Sequence, residues 1–215
     1  MAGRTSGRGF RTRNRGRGRR ELPRGRIALN LTEVPYSRAP VDLLTGEQTG
    51  VRNLGRNPLG LDLDGLSLTQ SLAMLEYLDE VHTAGFLPGE PAERVRVRAL
   101  SYAVDMEIQS VCNLLVVKFA VGQSNGLITT EDWMRHWIPL GLQGMEATLD
   151  QPATATNCHG DQITMADICL FPQLYNALRW GVDLTRFDRM SAIADRLHAL
   201  PAVAAAHPDL VRPVA

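Results

Sequence analysis

Between residues 66 and 82 the spacing of apolar side chains changes period. Leu66 and Leu68 alternate around Ser67, which is the two-residue repeat of a strand. After the polar trio Thr69, Gln70 and Ser71, the apolar residues Leu72, Met74, Leu75, Leu78 and Val81 recur at one helical turn. The pattern predicts a strand that passes into a helix through a polar junction, with Thr69 or Ser71 as its N-cap. The first turn of a helix presents unbonded N–H groups and partial positive charge. The same junction therefore also suits a carboxylate or a phosphate.

Elsewhere the repeat is mostly helical. Ile27, Ala28 and Leu31 share one face of a first helix over 25–34. Residues 36–44 read as a strand interrupted by Pro40, which favours the edge of a sheet. Residues 45–50 form a loop, and 83–91, with Gly85, Pro88, Gly89 and Pro91, form a linker. Beyond the linker Val95, Leu100, Val104, Ile108, Val111 and Leu115 predict one long helix over 92–120, breaking at Gly122. A second amphipathic helix covers 130–149, with Trp133, Trp137, Leu140 and Leu149 in core or interface. Pro139 should kink or break it. After a loop over 151–159, Thr164 as N-cap and Asp167 at the third helical position make an acidic capping box, with Ile163 and Ile168 placed as a hydrophobic staple. A last helix over 192–200 and a closing turn over 201–208 complete the pattern.

The 215 residues, 44% of them hydrophobic, suffice for one large or two small domains with a real core. No apolar run approaches the roughly 18 residues of a membrane span, and no apolar signal segment follows the basic start. Membrane partners are not expected. Cys112, Cys158 and Cys169 are odd in number and lack C-x-x-C spacing, and only Cys158 adjoins a histidine, His159. That set is too small for Zn²⁺ and fits a reduced, cytoplasmic compartment.

Zero net charge hides a division of the chain. Residues 1–26 hold ten arginines against one glutamate, whereas the remainder holds 13 basic and 22 acidic groups. The Arg/Gly-rich start is almost free of apolar residues, which predicts disorder. Arg-Gly repeats reach RNA through phosphate contacts and stacking. Phe10 is the one aromatic residue in the segment, which argues for a solvated tail and against nucleic acid as a partner. A mitochondrial presequence would need an apolar helical face that this segment lacks.

Asn57, Pro58 and Gly60, then Asp64 and Gly65, then Gln70 and Ser71 ahead of Leu75-Glu76-Tyr77-Leu78, resemble the glutathione transferase superfamily. Arg26-Ile27-Ala28-Leu29-Asn30-Leu31 and Val41-Asp42-Leu43-Leu44 narrow the resemblance to the zeta class, the maleylacetoacetate isomerases. It runs from Arg26 to the C-terminus. It implies a thioredoxin-like α/β half over 27–82, an all-α half over 92–210, and assembly as a homodimer. The implied activity is glutathione-dependent cis–trans isomerisation of maleylacetoacetate to fumarylacetoacetate in tyrosine and other aromatic catabolism, or of maleylpyruvate in a close relative. In that chemistry the glutathione sulfur adds to the cis double bond, the single bond rotates, and elimination follows.

The resemblance also implies a site. Gln70 and Ser71 hold the γ-glutamyl end of glutathione, and Gln48 touches it as well. Gln109, Asn113 and Leu114 belong to a segment that reaches across to glutathione, often from the other subunit. Arg179 meets a carboxylate of the small acidic substrate. As bare residues, Gln109 and Asn113 are equally the polar edge of a helix, and Arg179 equally half of a surface ion pair.

Two departures stand against the pattern. The family's serines would fall at Arg19, Arg20 and Leu22, so the catalytic serine position holds Arg20 and no catalytic residue is identified. The Val-Pro pair expected after Gly60 is absent, with about half a strand by the usual ~5–6-residue length. Such a sheet should be incomplete, lacking its central first strand and leaving backbone groups unpaired. These losses predict weak or no activity in the chain as written, and their abrupt boundary at Arg26 fits a displaced reading frame. The rival from another class is a non-catalytic binding domain of the same fold with a basic arm for RNA.

Overall fold

The computed structural model describes residues 10–12, 21–38, 61–63, 66–207 and 210. They divide into two units, one running up to Ala84 and joined by the chain from Ala205, the other spanning Gly85–Ala204. The family resemblance implies a helical half over 92–210, which would include residues 205–210.

In the first unit, strand β1 (Phe10–Thr12) leads to helix α1 (Glu21–Leu31), then β2 (Tyr36–Arg38), β3 (Leu61–Leu63), β4 (Leu66–Leu68) and helix α2 (Ser71–His82). The sheet order is β2-β1-β3-β4. β1 pairs in parallel with β2 (Phe10 opposite Tyr36) and antiparallel with β3 (Arg11 opposite Asp62). β3 and β4 pair antiparallel, Leu61 opposite Leu68. The βαβ crossover followed by a hairpin and a helix is the thioredoxin-like arrangement.

Three expectations are corrected here. The central position of the sheet is filled: Phe10–Thr12 supplies the strand that comparison with the family counted as missing. The segment over 1–26 is not disordered throughout, since it contains β1 and the first half of α1. α1 also begins four residues before the apolar periodicity does. Pro23 suits a helix's first turn, where its missing N–H is not required. β2 lies at the sheet edge; Pro40 and the rest of 39–60 lie outside the described residues. Ile27, Ala28 and Leu29 of α1 are buried, as are Met74, Leu75 and Leu78 of α2, and the two helices pack together.

The second unit is helical: α3 (Pro91–Tyr102), a π-helix (Ala103–Gln109), α4 (Leu114–Gln123), α5 (Thr130–Leu149), α6 (Met165–Arg179), α7 (Asp188–His198) and the short α8 (Pro201–Ala204). α3 packs on α6, the π-helix on α5, and α6 on α7. The single helix expected over 92–120 is therefore three segments. Val97, Leu100, Val104 and Ile108 still form one buried stripe, so the wider π-turn keeps the apolar face while rotating the residues after it. The chain then breaks at Cys112, and Asn113 caps the next helix through its Oδ1, which accepts from Leu115 N at 2.9 Å.

α5 has the predicted bounds but runs through Pro139 without a break. Met134 and Ile138 before the proline, and Leu142 and Met145 after it, are all buried and hold the helix on both sides. Leu140, expected in core or interface, is exposed. α7 starts at Asp188 rather than 192 because Glu146 of α5 accepts from Arg189 N and Met190 N at 2.9 and 3.1 Å. That carboxylate caps the first turn from outside the helix. The capping box at α6 closes: Asp167 Oδ2 accepts from Thr164 N at 2.8 Å and Thr164 Oγ1 at 2.7 Å, and Oδ1 accepts from Cys158 N at 2.9 Å.

Candidate functional site

The junction singled out by the change of period is the start of α2. Gln70, not Thr69 or Ser71, occupies the N-cap position, and its side chain makes no capping hydrogen bond. Its backbone has φ +66°, a conformation that residues other than glycine adopt at a cost of about 1–3 kcal/mol. Backbone strain of this kind persists where surrounding structure imposes it, and it clusters at binding sites. The first turn of α2 carries no acidic residue, so the partial positive charge of the helix start is uncompensated from within the helix.

Ser71 comes next as the first helical residue and is buried. Its Oγ accepts a hydrogen bond from Arg24 Nη1 at 2.9 Å. Because the guanidinium donates, the serine hydroxyl keeps its own hydrogen to donate. Arg24 is itself fully buried on α1, two residues before Arg26, whose Nη2 donates to the Ala206 carbonyl at 2.8 Å. A buried cation beside a helix start, with a serine donor between them, is chemically suited to an anion. Arg24 was missed in the sequence, where it reads as one of many solvated arginines.

In the second unit Gln109 and Asn113 do not form one polar helix edge. Gln109 ends the π-helix and is 9% exposed, and its Nε2 has no hydrogen-bond partner among the described residues. A buried amide donor without an acceptor costs about 1–3 kcal/mol, so an unpartnered one points to a ligand or water. Asn113 is exposed and engaged as the N-cap of α4, and Leu114 is the first residue of that helix, 36% exposed. Two features of α5 hold this stretch: Gly141 lies against Ile108, and Trp133 Nε1 donates to the Val111 carbonyl at 3.1 Å. Neither residue was a site candidate in the sequence.

Arg179 stands in the last turn of α6 and is exposed. Among the described residues it has no ion pair or hydrogen bond, so the surface-pair alternative is not realised there. Also on α6, Gln173 is fully buried with neither amide atom bonded among the described residues. Gln48 and Arg20 lie outside the described residues.

The cysteines offer no rival chemistry. All three are buried, and none forms a disulfide. Burial, and next the Asp167 carboxylate, push the Cys158 thiol well up, so it stays protonated and inert. Asp167 is likewise raised by burial, against the hydrogen bonds from Cys158 and Thr164 that lower it, and its role is structural. Among the described residues no cluster of His, Cys, Asp or Glu could hold a metal ion, and no helix is long and apolar enough to cross a membrane.

Known proteins bear on this geometry. No family model matches the chain. Maleylacetoacetate isomerase of Rhizobium meliloti (strain 1021) is 48% identical over 196 residues, covering 88% of this chain and 92% of that protein. A crystal structure of maleylacetoacetate isomerase from Anaeromyxobacter dehalogenans 2CP-1 with glutathione bound in the active site is similar at TM-score 0.81 and 34% identity, over 94% of this chain and 95% of that one. The holo structure of a maleyl pyruvate isomerase, a bacterial zeta-class glutathione transferase, is similar at TM-score 0.87 and 30% identity, over 96% and 100% of the two chains.

Proposed function

The chain belongs to the maleylacetoacetate isomerase family of zeta-class glutathione transferases, and we propose that it isomerises maleylacetoacetate to fumarylacetoacetate with glutathione as cofactor. The observation that carries this reading is the start of α2, where strained Gln70 and buried Ser71 stand in front of the Arg24 guanidinium. Those groups fit the γ-glutamyl carboxylate of glutathione. Ser71 donates its hydroxyl hydrogen, the α2 backbone presents unbonded N–H groups, and Arg24 supplies charge.

When bound, glutathione supplies a thiol that adds reversibly to the cis double bond and so permits rotation. The rest falls to this chain's own residues. In the helical unit Gln109, with its unused buried amide donor, Asn113 and Leu114 are the proposed contacts to glutathione, and Gln48 is a further proposed one. Arg179, exposed and without an ion pair among the described residues, holds a carboxylate of the small acidic substrate. At the sulfur end the family's serine position is Arg20, so turnover slower than in a serine-bearing relative is expected.

A second copy of the chain is the proposed partner. α4 exposes Leu115 and Phe119 at 76% and 71%, beside Leu114 and Val116, and so large an apolar helix face on one chain suits an interface between subunits. Light scattering on the full chain should give twice the monomer mass, and a monomer at micromolar concentration would reject the dimer. A cytoplasmic setting accords with three cysteines outside any disulfide. The relatives are named as isomerases, which favours this reading over the basic-arm alternative.

The test is turnover with and without glutathione, following maleylacetoacetate and maleylpyruvate in parallel. Glutathione-dependent conversion, faster with maleylacetoacetate, is the expected result. No conversion of either, with no retention on immobilised glutathione, would overturn the proposal. Salt-sensitive RNA retention that vanishes on removing residues 1–25 would then favour the alternative.

A further inference from the structure

We propose that Gly141 and Trp133 of α5 are positioning residues that set the placement of Gln109 by gripping the π-helix at two points. The inference rests on reading Gln109 as a glutathione contact. It adds why the chain leaves the α-helical ladder just there.

The first grip is steric. A Cβ at position 141 would collide with Ile108 Cγ1 and fall 2.9 Å from its Cδ1, closer than real carbon contacts allow. Ile108 is fully packed, so it has little room to give way. Glycine at 141 therefore lets the π-helix approach α5 more closely than any other residue would. The second grip is polar. Three residues past Ile108, Trp133 Nε1 donates to the Val111 carbonyl at 3.1 Å, at the point where the helix ends. Gln109 lies between the two grips, buried, with its Nε2 unpartnered among the described residues. A π-turn inserts one residue's worth of rotation into a helix and is found mostly at functional sites. Here the extra rotation comes immediately before the one described amide in the segment that is buried without an acceptor. A change of about 1 Å in the depth of Ile108 would carry Gln109 with it, and binding geometry is sensitive on that scale.

The test compares Gly141→Ala, Trp133→Phe, Gln109→Ala and the double variant Gly141→Ala/Ile108→Ala in the full chain. Glutathione affinity is read by calorimetry, kcat and KM are read separately, and thermal unfolding is the control. Gly141→Ala should raise the glutathione Kd and KM about tenfold or more with a smaller change in kcat. The double variant, with space restored opposite position 141, should return Kd to within about threefold of the parent. Trp133→Phe keeps an aromatic ring and loses the hydrogen bond. It should raise Kd several-fold, and it keeps the test open should Gly141→Ala fail to fold. A Gly141→Ala or Trp133→Phe chain that unfolds at lower temperature yet binds glutathione like the parent would overturn the inference. Should Gln109→Ala leave Kd unchanged, the reading of Gln109 fails. Should Gln109→Ala weaken binding while the α5 variants do not, the positioning role alone fails.

Discussion

Arg24 Nη1 donates to Ser71 Oγ at 2.9 Å, and both residues are buried. The bond occupies a lone pair of the serine oxygen and leaves the hydroxyl hydrogen available to donate. It also makes α1 and α2 depend on each other through a charge, and a buried charge tolerates the loss of a partner badly. Ser71→Ala should therefore act twice. Glutathione affinity should fall about tenfold or more, and stability should drop by about 1–3 kcal/mol because a buried donor of Arg24 loses its acceptor. Arg24→Lys, which keeps charge but loses the fork, should weaken glutathione binding nearly as much. Calorimetric titration beside urea unfolding separates the two effects. A Ser71→Ala chain with unchanged affinity would remove α2 from the site.

Gln70 offers the opposite combination. Its φ of +66° is a strained conformation that glycine adopts freely. Gln70→Gly should leave stability unchanged or raise it by up to about 1 kcal/mol. Glutathione binding should nevertheless weaken, because the side chain is lost from the site. Stability and affinity moving in opposite directions would identify the strain as functional. A matching fall in both would make Gln70 an ordinary structural residue.

What could be read from the sequence was local. The strand-to-helix junction at 66–82, the capping box at Thr164 and the bounds of α5 all depend on side chains a few residues apart. Burial of Arg24 and Arg26 could not be read this way, because their partners lie 47 and 180 residues away. In an Arg/Gly run the economical reading is solvation, and only tertiary structure overturns it. The π-helix was hidden for a different reason. Val104 and Ile108 keep a four-residue spacing through it, so the apolar repeat passes over the extra turn without a visible fault. Of the site, the junction itself could be picked out by position, with Ser71 as one of two N-cap candidates, whereas Gln70 entered only through the family resemblance. The roles of Gly141 and Trp133 could not, since each depends on what faces it across a helix crossing.

Two capping boxes of the same chemistry should respond to pH in opposite ways. Asp132, at the exposed start of α5, accepts from Thr129 Oγ1 and N at 2.7 and 2.8 Å, and those bonds hold its carboxyl below the ordinary 3.8. Its contribution is present above the ordinary value and is lost as pH falls through the lowered one. Asp167 is buried, and burial raises it despite similar bonds. The folded chain then holds that proton more tightly than the unfolded chain. Its share of stability is largest in acid and declines as pH rises from 3.8 through the raised value. In thermal unfolding between about pH 3 and 7, the gap between the parent and Asp132→Asn should widen as pH rises. The gap between the parent and Asp167→Asn should narrow over the same range. Parallel slopes for the two variants would refute the assignment of burial as the cause of the difference.

On the proposed reading, Arg179 separates substrate recognition from everything else in the site. It sits in the last turn of α6, exposed and without an ion pair among the described residues, so removing it should leave packing alone. Surface changes of this kind usually stay within about 0.5 kcal/mol of the parent stability. The helix end does favour a cation, which explains an arginine there without a ligand, but that effect is about 0.3–1 kcal/mol and a lysine serves as well. A carboxylate held by a guanidinium fork is more demanding, because a lysine offers only a point charge. Arg179→Lys should therefore keep parent stability and parent glutathione affinity while raising KM for the acidic substrate about tenfold, and Arg179→Ala should raise it further. Steady-state kinetics at saturating glutathione, beside a glutathione titration of each variant, makes the distinction. If lysine restores full activity, Arg179 serves the end of α6 and the substrate carboxylate is held elsewhere.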